Sequence, residues 1–115
     1  MARYGPLSLR VCIVRRYQAD WTSVFQVYAY PEHADALEAV YAETTRLARF
    51  EPGVIYYCIA RDSEDPTIFH FFERYTGRKA FDDHNEQPII QKLIADKLFR
   101  GVKAKFADAI RPTEQ

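Results

Sequence analysis

The chain has little of several things, and each scarcity removes a class of protein. It has two cysteines in 115 residues, Cys12 and Cys58. Two are too few for a disulfide scaffold, and they lack the close spacing of a zinc or redox motif. Both stand in strand-like runs, which suggests reduced, half-buried and inert thiols. Charge of one sign is also missing: 16 Lys and Arg balance 16 Asp and Glu. A neutral chain has no general pull on nucleic acid or on an anionic membrane. Arg10, Arg15 and Arg16 do cluster near the N-terminus, and they read as a solvated strand end. No stretch reaches the roughly 20 apolar residues of a membrane span. "MARYGPLSLR" has no long apolar core, so a secretory leader is not expected. A soluble, cytoplasmic protein is the expectation. Gly-rich phosphate loops, Ser-His-Asp arrangements and zinc spacings are missing too, as is the aromatic and glycine signature of the RNA-binding ferredoxin-like modules.

What the chain has in quantity is apolar and aromatic residues. They make up 48% and 15% of it, with eight Phe and eight Tyr. This is the composition of one globular domain able to bury a core without staples. "LSLRVCIV" alternates Leu7, Leu9, Val11 and Ile13 against Ser8, Arg10 and Cys12, a strand period. "TSVFQVYAY" is a second strand-like run and ends at Pro31. Leu37, Val40, Tyr41, Thr44, Leu47 and Ala48 then recur at helical spacing, with Arg46 and Arg49 near the end of the run and "EPG" at 51–53 as its stop. "VIYYCIA" and "TIFHFFERY" are strands joined by the polar turn "RDSEDP", so they form an antiparallel hairpin. Gly77 opens a short helix bearing Ala80 and Phe81. Pro88 opens another, with Ile90, Leu93, Ile94 and Leu98 on one stripe and Gly101 as its end. "VKAKF" closes the order as a short strand.

After residue 20 the order is β-α-β-β-α-β, which specifies an α+β, ferredoxin-like split βαββαβ sandwich. Residues 1–21 are expected to form an N-terminal extension with an extra strand, and residues 22–115 the ferredoxin-like domain. A sheet with helices on a single face leaves the other open. With so many Phe and Tyr, that open face is expected to carry much of the aromatic content and to meet a second copy of the chain.

"FEPGVIYY" followed by "RDSEDPTIFHFFERYTGRKAFDDH" resembles the antibiotic biosynthesis monooxygenase (ABM) family, the dimeric α+β barrels. The matching features are a helix ending in Glu-Pro-Gly, a Tyr four residues after the Gly (Tyr57), and an Asp-rich turn. A strand ending in Glu-x-Tyr (Glu73, Tyr75) and an Ala-Phe-x-x-His helix (Ala80, Phe81, His84) complete them. They occur in order across about 24–110. The resemblance implies a homodimer, an apolar pocket in each subunit, and oxidation of a small phenolic, quinol-like or polyketide-like substrate by molecular oxygen without metal or flavin. Isomerases, which share the initial proton removal, and proteins of unknown role also belong to the family. The chain departs from it in three ways. Ile89 stands where several members have a second His after the Pro. Ile94 and Phe25 stand where the haem-degrading branch has its ligand His and pocket Asn. Tyr75 replaces a common Trp.

The resemblance makes His84, Tyr75 and Glu73 the catalytic candidates, with no metal and no cofactor; Phe25, Tyr57 and Phe71 are candidates for the pocket wall, with ordinary core packing as the alternative for each. Strand parity puts Phe69, Phe71, Glu73 and Tyr75 on one face and His70, Phe72 and Arg74 on the other. Glu73 would then be a carboxylate among aromatics, raised in pKa by burial unless a donor holds it ionised. Its structural alternative is pairing with Arg74, Arg78 or a backbone amide. Imidazole titrates in the range that suits proton transfer near neutrality, which favours His84 as a base; its alternative is to anchor the short helix. Tyr75 could reach a substrate oxygen or lie in the core with its hydroxyl at the surface. His70 reads as a satisfied sheet histidine. Phe72 and Phe81 are expected to pack the seam between the strand and the helix. Three functions follow: a cofactor-independent monooxygenase; a non-oxidative isomerase, cyclase or decarboxylase using the same enolate chemistry; or a non-catalytic dimeric module that binds a small ligand.

Overall fold

The computed structural model describes residues 20–110 and 112–113. The expected first strand, Cys12 and the arginine cluster lie outside the described residues. β1 (Trp21–Ala29) is followed by a 3₁₀ turn (Pro31–His33) and α1 (Ala34–Ala48). Then come β2 (Val54–Arg61), β3 (Ile68–Tyr75), α2 (Arg78–Asn85), α3 (Pro88–Ala95) and β4 (Phe99–Ala107). The sheet order is β2-β3-β1-β4, with every neighbouring pair antiparallel. This is the ferredoxin-like α+β fold.

Local chemistry accounts for most of the boundaries. Pro31 fixes the entry to the 3₁₀ turn. Along α1, Ala34, Leu37, Tyr41, Thr44 and Ala48 form the buried stripe. The hairpin turn is built by Asp62, whose Oδ2 accepts the amides of Glu64 (3.0 Å) and Asp65 (2.8 Å). Gly53 is required by a close approach: a Cβ there would lie 2.4 Å from Cβ of Ala80 on α2. The Glu51–Gly53 turn is thereby pressed against α2.

The end of α3 differs from expectation. The helix stops at Ala95, and Gly101 lies inside β4, which begins at Phe99 and runs nine residues. Lys97 reverses the chain instead, in the left-handed region at φ 54° just past the C-cap Asp96. Leu98, placed on the helical stripe by periodicity, therefore lies outside the helix.

The core lies between the sheet and the helices: Val27, Ala29, Ala34, Leu37, Tyr41, Phe69, Phe71 and Leu93. The aromatics are concentrated here, not on the open face. Register and alternation put Trp21, Phe25, Tyr57, Phe69, Phe71, Tyr75 and Phe106 on the helix side. The open side carries Val24, Tyr56, Cys58 and Phe72 among Gln26, His70, Arg74, Lys103 and Lys105. The expectation that the open face holds much of the Phe and Tyr is thus corrected. Phe72 is corrected with it: it is 44% exposed on the open face and does not pack the seam, whereas Phe81 does.

Candidate active site

The site is assembled on the helix side of the sheet, where β3 meets α2. One row across the sheet reads Tyr57 (β2), Glu73 (β3), Ser23 (β1) and Phe106 (β4), each opposite the next. The neighbouring row brings Tyr75 opposite Trp21, and the row on the other side is Ile59, Phe71, Phe25 and Ala104. A polar row is thus enclosed by aromatic and aliphatic side chains.

Glu73 is 4% exposed. Its Oε1 accepts a 2.5 Å hydrogen bond from the Tyr75 hydroxyl. Burial pushes its carboxyl up to about 7; the Tyr75 hydrogen bond opposes this, and the nearby Glu51 carboxylate adds to it. The arginines proposed as its structural partners are engaged with other carboxylates: Arg74 with Asp20 and Arg78 with Asp82. The hydroxyl of Tyr75 is strongly raised by burial and then by Glu73, so it stays protonated and donates.

His84 is 3% exposed on α2. Its Nδ1 lies 3.0 and 3.2 Å from the two carboxylate oxygens of Glu51. A carboxylate only accepts, so Nδ1 carries the proton in this pair. The imidazole rests between two tyrosine rings, 5.0 Å from Tyr57 and 5.6 Å from Tyr75. The Tyr57 hydroxyl donates to Thr44 Oγ1 at 3.0 Å, which donates to the Tyr41 carbonyl at 3.1 Å. Burial raises the hydroxyl pKa of both Tyr57 and Tyr41. His84, expected as a base or as an anchor of the short helix, is tied into a network of side chains from α1, β2, β3 and the Glu51 turn.

Phe81, one turn before His84, packs against Trp21, Phe25, Tyr75 and Phe106, with ring centroids 5.5 to 6.2 Å apart. Phe25 also meets Phe71 edge-on at 6.1 Å. The cage opens toward β4, where Val102, Ala104 and Phe106 are exposed on this face. On the outside lies a cleft of about 330 Å³ lined by Glu51, Gly53, Thr76, Lys79, Ala80 and Asp83.

The structure therefore brings His84, Tyr75, Glu73 and Tyr57 together, with Phe25 and Phe71 in the adjoining aromatic cage. Sequence reasoning passed over Glu51, read as part of a helix stop, and also Thr44, Ser23 and Trp21. Parity would have found Ser23, which is two residues before Phe25; no local signal links Glu51 to His84. Among the described residues, no group of three or more His, Cys, Asp or Glu is arranged to hold a metal ion. No helix among them is long and apolar enough to cross a membrane.

Comparisons with known proteins bear on this geometry. No curated protein matches the chain significantly. A Pseudomonas aeruginosa protein of known structure is similar with a TM-score of 0.74 and 22% identity, covering 80% of this chain and 95% of its own. One from Shewanella oneidensis gives 0.70 and 22%, covering 78% and 90%. A Nitrosomonas europaea protein, provisionally named an antibiotic biosynthesis monooxygenase, gives 0.71 and 20%, covering 83% and 94%. These likenesses establish the fold. The family model described as antibiotic biosynthesis monooxygenase matches residues 22–96, well over half of the sequence, and the chain belongs to that family.

Proposed function

We propose that the protein is a cofactor-independent monooxygenase for a small phenolic, quinol or polyketide-like substrate. The observation that carries this reading is a buried carboxylate, Glu73, beside an aromatic cage and next to the buried His84 and its half-buried partner Glu51. A phenol or enol bound in the cage loses its proton to a base, with Glu73 and the His84–Glu51 pair as the candidates. A base must be ready to accept near neutral pH, and burial brings Glu73 into that range. The anion passes one electron to O₂, and the substrate radical and superoxide combine to form a C–O bond. Loss of water leaves a carbonyl. The net reaction converts a CH₂ and O₂ to C=O and H₂O, so the substrate supplies the electrons. The protein supplies deprotonation and a dry cavity. Oxygen uptake during turnover of a phenol and quinol panel tests this. Consumption of one O₂ per product is expected. Unchanged turnover without O₂ would instead assign the site to an isomerase, cyclase or decarboxylase working through the same anion.

Phe81 favours a second reading, a non-catalytic ligand-binding module, because its ring packs against Trp21, Phe25, Tyr75 and Phe106 and narrows the cage. Binding of the panel with no turnover by the wild type would establish it.

The active species in this proposal is a homodimer. The supporting feature is the open-face patch of Val24, Tyr56 and Phe72, each at least 38% exposed on one protomer. Sedimentation at micromolar concentration is expected to give a dimer, and a monomer there removes this part of the reading.

A further inference from the structure

Among the described residues, two buried polar groups at the helix-side end of β1 have no partners. Ser23 is 0% exposed, and its Oγ makes no hydrogen bond. Trp21 Nε1 is likewise buried and unpaired. They share one strand face, two residues apart, and lie directly across from Glu73 and Tyr75. Thr22 Oγ1 and Asp20 Oδ1 are unpaired as well, but they belong to the opposite face. Buried donors are paired in the great majority of native structures, so two orphans on one strand face call for an explanation. Packing alone does not require them, because Ala at 23 and Phe at 21 would keep the aliphatic and aromatic contacts and remove both orphans.

We propose that Ser23 Oγ and Trp21 Nε1 are the donors that bind the substrate oxygen, forming the anion-stabilising side of the site opposite Glu73. The inference deepens the reading above and rests on it. The surroundings define the ligand class. Phe25, Phe81 and Phe106 offer ring faces and edges for a planar aromatic body. Phe106 is 54% exposed at the sheet edge, so the ring enters past β4. Trp21 is held by a tilted ring contact with Phe106 (5.3 Å) and by the Arg78 guanidinium over its ring (5.0 Å), which restrict the direction of its N–H. The ligand is a flat aromatic whose ring carries one hydroxyl or enol that becomes an oxyanion. Glu73 lies on the same row as Ser23, so the group that takes the proton and the groups that hold the resulting charge face each other. The proton moves from the ligand hydroxyl to the base, no electrons transfer in this step, and the charge remains on the ligand oxygen.

The test uses 4-nitrophenol, whose colour reports its ionisation, and 4-nitroanisole, which has the same ring and no ionisable hydroxyl. Wild type is expected to bind the phenolate more tightly than the phenol and to bind nitroanisole through the cage alone. Ser23→Ala and Trp21→Phe should each weaken phenolate binding by about ten- to a hundredfold, the scale of one hydrogen bond to a charged group, and leave nitroanisole binding unchanged. Thermal unfolding separates this from damage to the fold: Ser23→Ala should melt no lower than wild type, because it deletes an unsatisfied group. Phenolate binding that is unaltered in both variants overturns the proposal while leaving the proposed activity standing. Equal losses for nitrophenol and nitroanisole also overturn it, assigning both residues to packing. A wild type that binds neither probe removes the aromatic site, and both readings fall.

Discussion

The two faces of the sheet each hold a histidine paired with a carboxylate, and they treat the pair in opposite ways. On the helix side, His84 and Glu51 are enclosed by tyrosines, and the neighbouring Glu73 is pushed up to about 7 by burial. On the open side, His70 Nε2 lies 2.7 Å from Asp62, and Asp62 is lowered to about 2, first by that hydrogen bond and then by the Asp65 and Glu64 amides. The second site is fully satisfied: Tyr28 donates to Gln26 Oε1, which turns the Gln26 amide nitrogen toward His70 Nδ1 at 3.4 Å. The first keeps orphan donors and a carboxyl that titrates near neutrality. The lesson is that pairing a histidine with an acid does not make a reactive site. Hydrogen bonds from His70 and two backbone amides hold Asp62 ionised on the open side, while on the helix side desolvation pushes Glu73, the carboxyl beside His84, up.

The largest expected effect would break this contrast at the histidines. His84→Ala is expected to lower turnover by about 10²–10⁴-fold, the range for losing a positioned acid or base. His70→Ala should leave turnover unchanged. Equal rates for the two variants, measured by oxygen uptake, would erase the distinction between the faces.

Next in size is the pH dependence of stability. Glu73 has a folded pKa of about 7 against an ordinary 4.5, so the native state binds more protons than the unfolded chain between these values. Its contribution is fully present below about 4.5 and is lost as pH rises through 7. At pH 8, where the buried carboxylate is ionised, Glu73→Gln should be more stable than wild type by roughly 3 kcal/mol, with little difference at pH 4. Urea unfolding at the two values checks this. The same ionisation predicts wild-type activity rising with pH through about 7 if Glu73 is the base.

Gly53→Ala probes the seam that brings Glu51 to His84. The added methyl meets Ala80, and the expected loss is about 1–3 kcal/mol. The double variant with Ala80→Gly should recover part of it. In NMR spectra the His84 ring signals should move and those of His70 should not.

The smallest effect is expected at Asp62. The residue is half-exposed, and a solvent-screened pair contributes little. Its depressed pKa gives a contribution present above the ordinary value of 3.8 and lost as pH falls through about 2. Asp62→Asn should therefore lower the melting temperature only slightly at neutral pH, with the difference shrinking as the pH falls through about 2.

Several features of the site were legible in the chain. Parity along "FFERY" put Glu73 and Tyr75 on one face with Phe71, and that is the face that packs under the helices. The "AFDDH" spacing put Phe81 and His84 about one turn apart, where both are buried. The aromatic count was misread, because composition does not say which side of a sheet a ring occupies. The helix stop at Gly101 was misread because a lysine in the left-handed region ended α3 earlier.

By itself the sequence determined the periods, the breaks and the order βαββαβ, since these depend on each residue and its near neighbours. It also determined the parity of each strand, because alternation is a property of extended backbone. Only the tertiary structure decided which face the helices cover, and hence which carboxylate is desolvated. It alone joined Glu51 to His84, 33 residues apart, and set Ser23 opposite Glu73. Such pairings depend on strand register and on how closely Gly53 lets the turn approach α2. Those are fixed by packing between distant segments, for which the local chain carries no code.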